Sequence, residues 1–314
     1  IRKGATVMSI TLNDIQKAKE RIAPYITETP LLRLHSLDAY LGCQVYAKAE
    51  CMQITGAFKL RGALNKICQL TEEQLQRGIV AASSGNHGKA VAYTARMLHT
   101  KATIVMPYTA PPVKVEAIRT LGAEIVQCET SQRFHIAQAL CQERGAIMVP
   151  PYDDDEIMAG QGTAGLELIT QCPELSKVIV PTSGGGLLSG ISTAVKGISP
   201  KTLVYGAEPA ALPRYSTSLR NHARTKVEQK SSIADALVAQ MPGEKCFPCV
   251  QAHADDADAL PPEKFEQPRP ERDGLLERLG AVGPRAPERR EPRPLHHDRR
   301  IDPHRVGSAR GQAL

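Results

Sequence analysis

From about residue 78 the chain alternates short β-branched runs with longer amphipathic stretches. Gly78-Ile-Val-Ala-Ala-Ser, Ala102-Thr-Ile-Val-Met, Ala123-Glu-Ile-Val-Gln and Ala146-Ile-Met-Val read as strands. Between them, residues 88–98, 113–121 and 131–144 carry apolar positions at helical spacing. Strands joined by helices of about ten residues are mostly parallel, since each helix serves as a crossover. A second series starts near Ile157, with helices expected at 165–170 and 190–196 and strands at Lys177-Val-Ile-Val-Pro and Leu203-Val-Tyr-Gly-Ala. The expected architecture is α/β, with two domains that each hold an open, mostly parallel sheet flanked by helices. Residues 77–151 would form the smaller domain, inserted into a larger one made of 8–76 and 152–260. Met8-Ser-Ile-Thr-Leu-Asn-Asp opens a first helix with Thr11 or Asn13 as cap, and residues 1–7 read as leader or read-through.

Composition changes the picture mainly at one end. In residues 261–314, 9 of the 23 prolines and 11 arginines accompany only nine Ile, Leu, Val, Phe and Met residues. Such a segment buries too little to fold alone. It reads as Pro/Arg-rich and disordered, or as the product of a reading-frame shift that leaves the C-terminal part of the fold incomplete. The chain as a whole, 314 residues with 42% apolar and 23% charged, is that of a globular protein. It has no apolar run of bilayer length and no basic-then-apolar secretory layout, so a cytoplasmic protein away from membranes is expected. Half of the +6 net charge falls in the last 54 residues and aromatics are only 4% with no Trp, which argues against a nucleic-acid partner. Eight scattered cysteines read as reduced thiols, and the single CxxC, Cys246-Phe-Pro-Cys249, lacks the second ligand pair of a zinc site.

Three constellations carry chemistry, each where strand or loop hands over to helix. In Ile54-Thr-Gly-Ala-Phe-Lys-Leu-Arg-Gly-Ala, Lys59 sits among apolar neighbours at a helix start. Most helical lysines are solvated cations, but desolvation and a helix N-terminus would lower this pKa, as a Schiff-base lysine requires. Ala81-Ala-Ser-Ser-Gly-Asn-His-Gly aims backbone N–H groups and short side-chain donors at an anion such as a carboxylate, although Ser and Asn also serve as plain caps. Val180-Pro-Thr-Ser-Gly-Gly-Gly-Leu-Leu lets the backbone wrap a phosphate, and it matches neither a Walker loop nor a dinucleotide fingerprint. A lysine, a carboxylate cradle and a phosphate cup together point to pyridoxal 5'-phosphate.

Residues 10–250 resemble the serine/threonine dehydratase (threonine ammonia-lyase) and serine racemase family of fold-type-II, tryptophan synthase β-like, pyridoxal-phosphate enzymes. The resemblance runs through Thr55-Gly-Ala-Phe-Lys-Leu-Arg-Gly-Ala, Ser83-Ser-Gly-Asn-His-Gly, Ala159-Gly-Gln-Gly-Thr, Ser183-Gly-Gly-Gly-Leu and Gly206-Ala-Glu-Pro. It implies a lyase that deaminates L-threonine, L-serine or a related 3-hydroxy amino acid, with amino-acid racemisation as the alternative and a non-catalytic remnant as the second. By the same resemblance Lys59 would carry the Schiff base and Phe58 would pack near the cofactor. Asn86 would bond the pyridoxal 3'-oxygen. Ser183, Gly184, Gly185, Gly186 and Leu187 would hold the phosphate. The substrate carboxylate would rest on Ser83, Ser84, Gly85, Asn86 and His87, with Ser84 also the second acid for racemisation. A homo-oligomer, dimer or tetramer, is implied for the complete fold.

Two departures from the family pattern stand out. Its divalent-cation site would use Glu208 with oxygen ligands four and six residues on, where this chain has Leu212 and Arg214. Arginine cannot ligate such an ion, so no metal is expected and Arg214 is read as its replacement by a local positive charge. The family's late glycine-rich turn at the pyridine nitrogen has no counterpart in 251–314.

Overall fold

The computed structural model describes residues 10–260 apart from Ser231 and Ile233. The expectations about residues 1–7 and 261–314 lie outside the described residues. Thr11, not Asn13, caps α1 (Leu12–Ile22) in a reciprocal box, its hydroxyl accepting from Asp14 N–H while its own N–H donates to the Asp14 carboxylate at 2.9 Å. One face of α1, formed by Ile15, Ala18 and Ile22, is fully buried. A short antiparallel pair follows, β1 (Leu31–Arg33) with β2 (Tyr46–Lys48), bracketing α2 (His35–Leu41). Then come α3 (Lys59–Ile67) and α4 (Glu72–Arg77).

The alternating block folds as its pattern predicts. The elements β3 (Ile79–Ala82), α5 (Asn86–Met97), β4 (Ala102–Pro107), α6 (Pro112–Arg119), β5 (Glu124–Cys128), α7 (Arg133–Arg144) and β6 (Ile147–Met148) build one sheet. Its strand order is β5-β4-β3-β6 and every pair is parallel. β3 and β4 are buried along their whole length, because helices cover both faces.

The second series holds α8 (Asp155–Gln171), β7 (Lys177–Pro181), α9 (Gly186–Ile198), β8 (Leu203–Pro209), α10 (Arg214–Arg220), α11 (Cys246–His253) and β9 (Asp256–Leu260). Its three strands form a parallel sheet in the order β7-β8-β9. Two helices begin earlier than the sequence pattern predicts, α8 at Asp155 rather than residue 165 and α9 at Gly186 rather than residue 190. Their glycines, which argue against helix by propensity, sit where backbones cross. A Cβ on Gly162 would lie 2.9 Å from Gly190 O, and one on Gly190 only 2.3 Å from Met158 O. Close packing of α8 on α9 therefore overrides propensity, and the Asp154 carboxylate caps the new α8 start through the N–H groups of Glu156 and Ile157.

α3 is pinned by charge. The buried Arg61 guanidinium donates to Glu50 Oε1 and Oε2 at 2.8 and 2.9 Å and to Glu167 Oε1 and Oε2 at 2.6 and 2.8 Å, while Lys48 pairs with Glu167 at 2.6 Å. Two carboxylates against two cations compensate one another in a dry site, and this network holds α8 and the 3-10 turn at Glu50–Met52 to the start of α3. No helix among the described residues is long and apolar enough to cross a membrane.

Candidate active site

Three helix N-termini converge on the segment that links β6 to α8, residues 149–153. Lys59, the first residue of α3, donates its Nζ to Pro151 O at 2.5 Å. His87, in the first turn of α5, bonds Val149 O through Nε2 at 2.8 Å. The loop into α9 lies against Tyr152, so that a Cβ on Gly184 would sit 2.4 Å from its ring and one on Gly186 only 2.9 Å from its Cβ. The acceptors this segment turns toward the helix starts are the carbonyls of Val149 and Pro151.

Lys59, His87, Cys246 and Tyr215 are each shifted, with burial the first cause. Burial pulls the Lys59 amine down to about 8. Its Nζ also stands 5.1 Å from the Phe58 ring centroid. Burial and then the Lys59 charge lower His87 to about 3, so its imidazole is neutral. A carbonyl can only accept, which places the ring proton on Nε2 and leaves the buried Nδ1 as a bare, unpartnered acceptor. The His87 side chain therefore has no proton for a carboxylate, and only its backbone N–H can serve one. Burial also raises the Cys246 and Tyr215 groups well above their usual values, which keeps both neutral.

The two anion loops differ in detail. In the first, Ser83, Ser84 and Gly85 are half-buried and Asn86 is exposed. Ser83 Oγ accepts from Gly85 N–H at 3.3 Å, and Gly85 is the N-cap of α5. In the second, Gly184, Gly185 and Gly186 are buried and Gly185 caps α9 at φ +105°. The first N–H groups of α5 and of α9 have no acceptor within their helices, so both loops present donors.

These residues fit pyridoxal phosphate. A desolvated amine with a lowered pKa suits an aldehyde, and a glycine N-cap with φ in the left-handed region suits a phosphate. The orphaned Nδ1 of His87 adds an acceptor that the protein itself leaves unused. The structure thus brings Lys59, Phe58, the 83–87 loop and the 183–187 loop around one segment. It does not add Glu208, whose carboxylate lies behind the second loop and accepts from Tyr215 N–H (2.9 Å), Ser216 N–H (2.8 Å) and Ser216 Oγ (2.9 Å). Leu212 O, the other candidate ligand, already accepts from Arg214 Nη1 at 3.0 Å. Among the described residues no group of three or more His, Cys, Asp or Glu could hold a metal ion.

Sequence reasoning missed Tyr152, Asp153, Tyr215 and Cys246. Asp153 accepts the N–H groups of Glu244 and Lys245, each at 2.8 Å, and of Cys246 at 3.3 Å, which fixes α11 beside the glycine loop. The only signal was their position next to turn residues, because each acts on a partner more than 30 residues away.

A family model described as pyridoxal-phosphate dependent enzyme matches residues 22–264. The L-threonine ammonia-lyase of Thermotoga maritima is 38% identical over 258 residues, which cover 82% of this chain and 64% of that protein. The chain thus spans less than two thirds of that relative's length. Among solved structures, the T.th. threonine deaminase matches with TM-score 0.78 and 40% identity over 82% of this chain and 84% of that one. Serine racemase from Dictyostelium discoideum matches with TM-score 0.77 and 36% identity over 82% and 83%.

Proposed function

Because the chain belongs to the pyridoxal-phosphate-dependent enzymes, in the branch of serine/threonine dehydratases and serine racemases, we propose that it deaminates L-threonine or L-serine, or a related 3-hydroxy amino acid, to a 2-oxo acid and ammonia. Its cofactor, when bound, supplies the electron sink that makes the substrate Cα–H acidic. The observation that carries the reading is the Lys59 amine, lowered to about 8 and held at the 149–153 segment between two donor loops.

In this reading Ser183, Gly184, Gly185, Gly186 and Leu187 hold the phosphate through backbone N–H groups, with Phe58 and Asn86 against the rest of the cofactor. Ser83, Ser84, Gly85, Asn86 and the backbone of His87 hold the substrate carboxylate. That clamp fixes Cα–H toward Lys59, whose neutral Nζ takes the proton as general base. The β-hydroxyl then departs as water, the proton removed from Cα balancing it, and the released enamine tautomerises to an imine that water hydrolyses to the 2-oxo acid and ammonia. The reading extends to the lobes 8–76 with 152–260 and 77–151, and to a homo-oligomer. It also extends to a cytoplasmic setting, for which eight free thiols are the support.

Lys59→Ala is expected to lower 2-oxo acid release from L-threonine and L-serine by about a thousandfold or more, while cofactor phosphate is still captured by the separate glycine loop. Retained turnover would overturn the assignment. A second reading, racemisation, is favoured by Ser84, a half-buried hydroxyl in the 83–87 loop, and by the likeness to a serine racemase.

A further inference from the structure

Arg214 is fully buried, yet none of its donors faces a solvent-exposed group or a carboxylate at hydrogen-bond distance. Its five N–H groups go to four backbone carbonyls. Nε donates to Ser183 O at 3.1 Å. Nη1 donates to Leu212 O and Leu237 O at 3.0 and 3.2 Å. Nη2 donates to Thr182 O and Leu237 O at 3.0 and 2.9 Å. The next residue continues the pattern, with Tyr215 Oη donating to Gly184 O at 3.0 Å. Three consecutive carbonyls, of Thr182, Ser183 and Gly184, are thus tied to the start of α10.

We propose that Arg214, with Tyr215, is a positioning residue that sets the donor face of the 183–187 loop. The inference rests on the reading that this loop holds the cofactor phosphate. In a planar trans peptide the C=O and the following N–H point in opposite directions. Holding the carbonyls of 182, 183 and 184 on the α10 side therefore turns the N–H groups of Ser183, Gly184 and Gly185 away from it. Those amides then join the free first-turn amides of α9 at Gly186 and Leu187. Glu208, 3.8 Å from Arg214, balances its charge and caps α10 through Tyr215 and Ser216 N–H, so the guanidinium works by fork geometry more than by net charge.

The test compares pyridoxal phosphate with pyridoxal, which lacks the phosphate, by absorbance titration of the cofactor-free full chain. The wild type is expected to prefer the phosphorylated form strongly. In the charge-balanced double variant Glu208→Gln with Arg214→Met, that preference is expected to fall about tenfold or more while pyridoxal affinity stays within about twofold. Arg214→Lys, which keeps the charge and loses the fork, is expected not to restore it. Tyr215→Phe, which removes one tie and keeps the ring, is expected to lower the preference by about threefold and remains decisive if the double variant does not fold. An unchanged preference in a folded Arg214 variant or in Tyr215→Phe, an equal loss for both ligands, or full restoration by lysine overturns the inference. A wild type that does not discriminate the two ligands overturns the phosphate assignment itself.

Discussion

Both the 83–87 loop and the 183–187 loop run from a parallel strand into a helix N-terminus, yet a Cβ added to Gly85 meets nothing within 4 Å, whereas one on Gly185 would stand 1.8 Å from Tyr215 Oη. In the first loop Ser83, Ser84, Gly85 and Asn86 are half-buried or exposed, with only His87 buried. The second is enclosed by Tyr152, Tyr215, Cys246 and the Arg214 fork. Roominess suits a ligand that enters and leaves at every turnover, and enclosure suits one that stays. On the proposed function, what packs behind each loop divides the same local plan between substrate and cofactor.

Alanine at the two glycines breaks this comparison most directly. Gly185→Ala forces a Cβ into the left-handed region and into the Tyr215 hydroxyl, a combined cost of about 3 kcal/mol or more. Purified protein should melt well below the wild type and lose its yellow colour. Gly85→Ala should change stability by less than about 1 kcal/mol, yet raise KM for the amino acid roughly tenfold by crowding the carboxylate site. Equal effects on melting and on cofactor retention from the two variants would show that the loops are not divided as described.

How much of this was legible beforehand follows from where each contact closes. The parallel sheet of β3 to β6 was readable because each strand and helix is a local pattern, and the loop motifs carry their donors in consecutive residues. Lys59 at the first position of α3 was readable for the same reason. The α8 start at Asp155 was not, because the glycines that argue against helix are accommodated only once α9 lies against them. Nor was the fork of Arg214, which reads in sequence as a residue that cannot ligate a metal and replaces its positive charge. Its purpose depends on carbonyls 31 and 32 residues away. The pair β1–β2 and α10 are too short to announce a period.

Ser84→Ala sharpens the comparison from the other side, by changing chemistry in the open loop without changing its backbone. Elimination from L-serine or L-threonine should persist within about threefold, since backbone N–H groups still hold the carboxylate. Any interconversion of D- and L-serine, followed by chiral chromatography, should disappear. A collapse of elimination equal to the loss of racemisation would make Ser84 a binding group.

The smallest expected effect lies between the two loops, at Lys59. Its amine titrates near 8 in the folded protein against 10.5 for an unperturbed lysine, because burial disfavours the ammonium. Below about pH 8 both the folded and unfolded chains carry the proton, and the folded state bears the whole desolvation penalty. Between about 8 and 10.5 the unfolded chain binds more protons than the folded one, so unfolding free energy rises with pH across that window and levels off above it. Part of the side chain stays exposed, which limits the desolvation that lowers the amine. Urea unfolding of cofactor-free protein at several pH values should show this rise, and Lys59→Met should abolish it while matching or exceeding wild-type stability at neutral pH. Cofactor capture by the wild type should quicken over the approach to pH 8, as the amine loses its proton and becomes nucleophilic. A Lys59→Met profile parallel to the wild type's would place the amine in water rather than between the loops, and the division of the site would lose its centre.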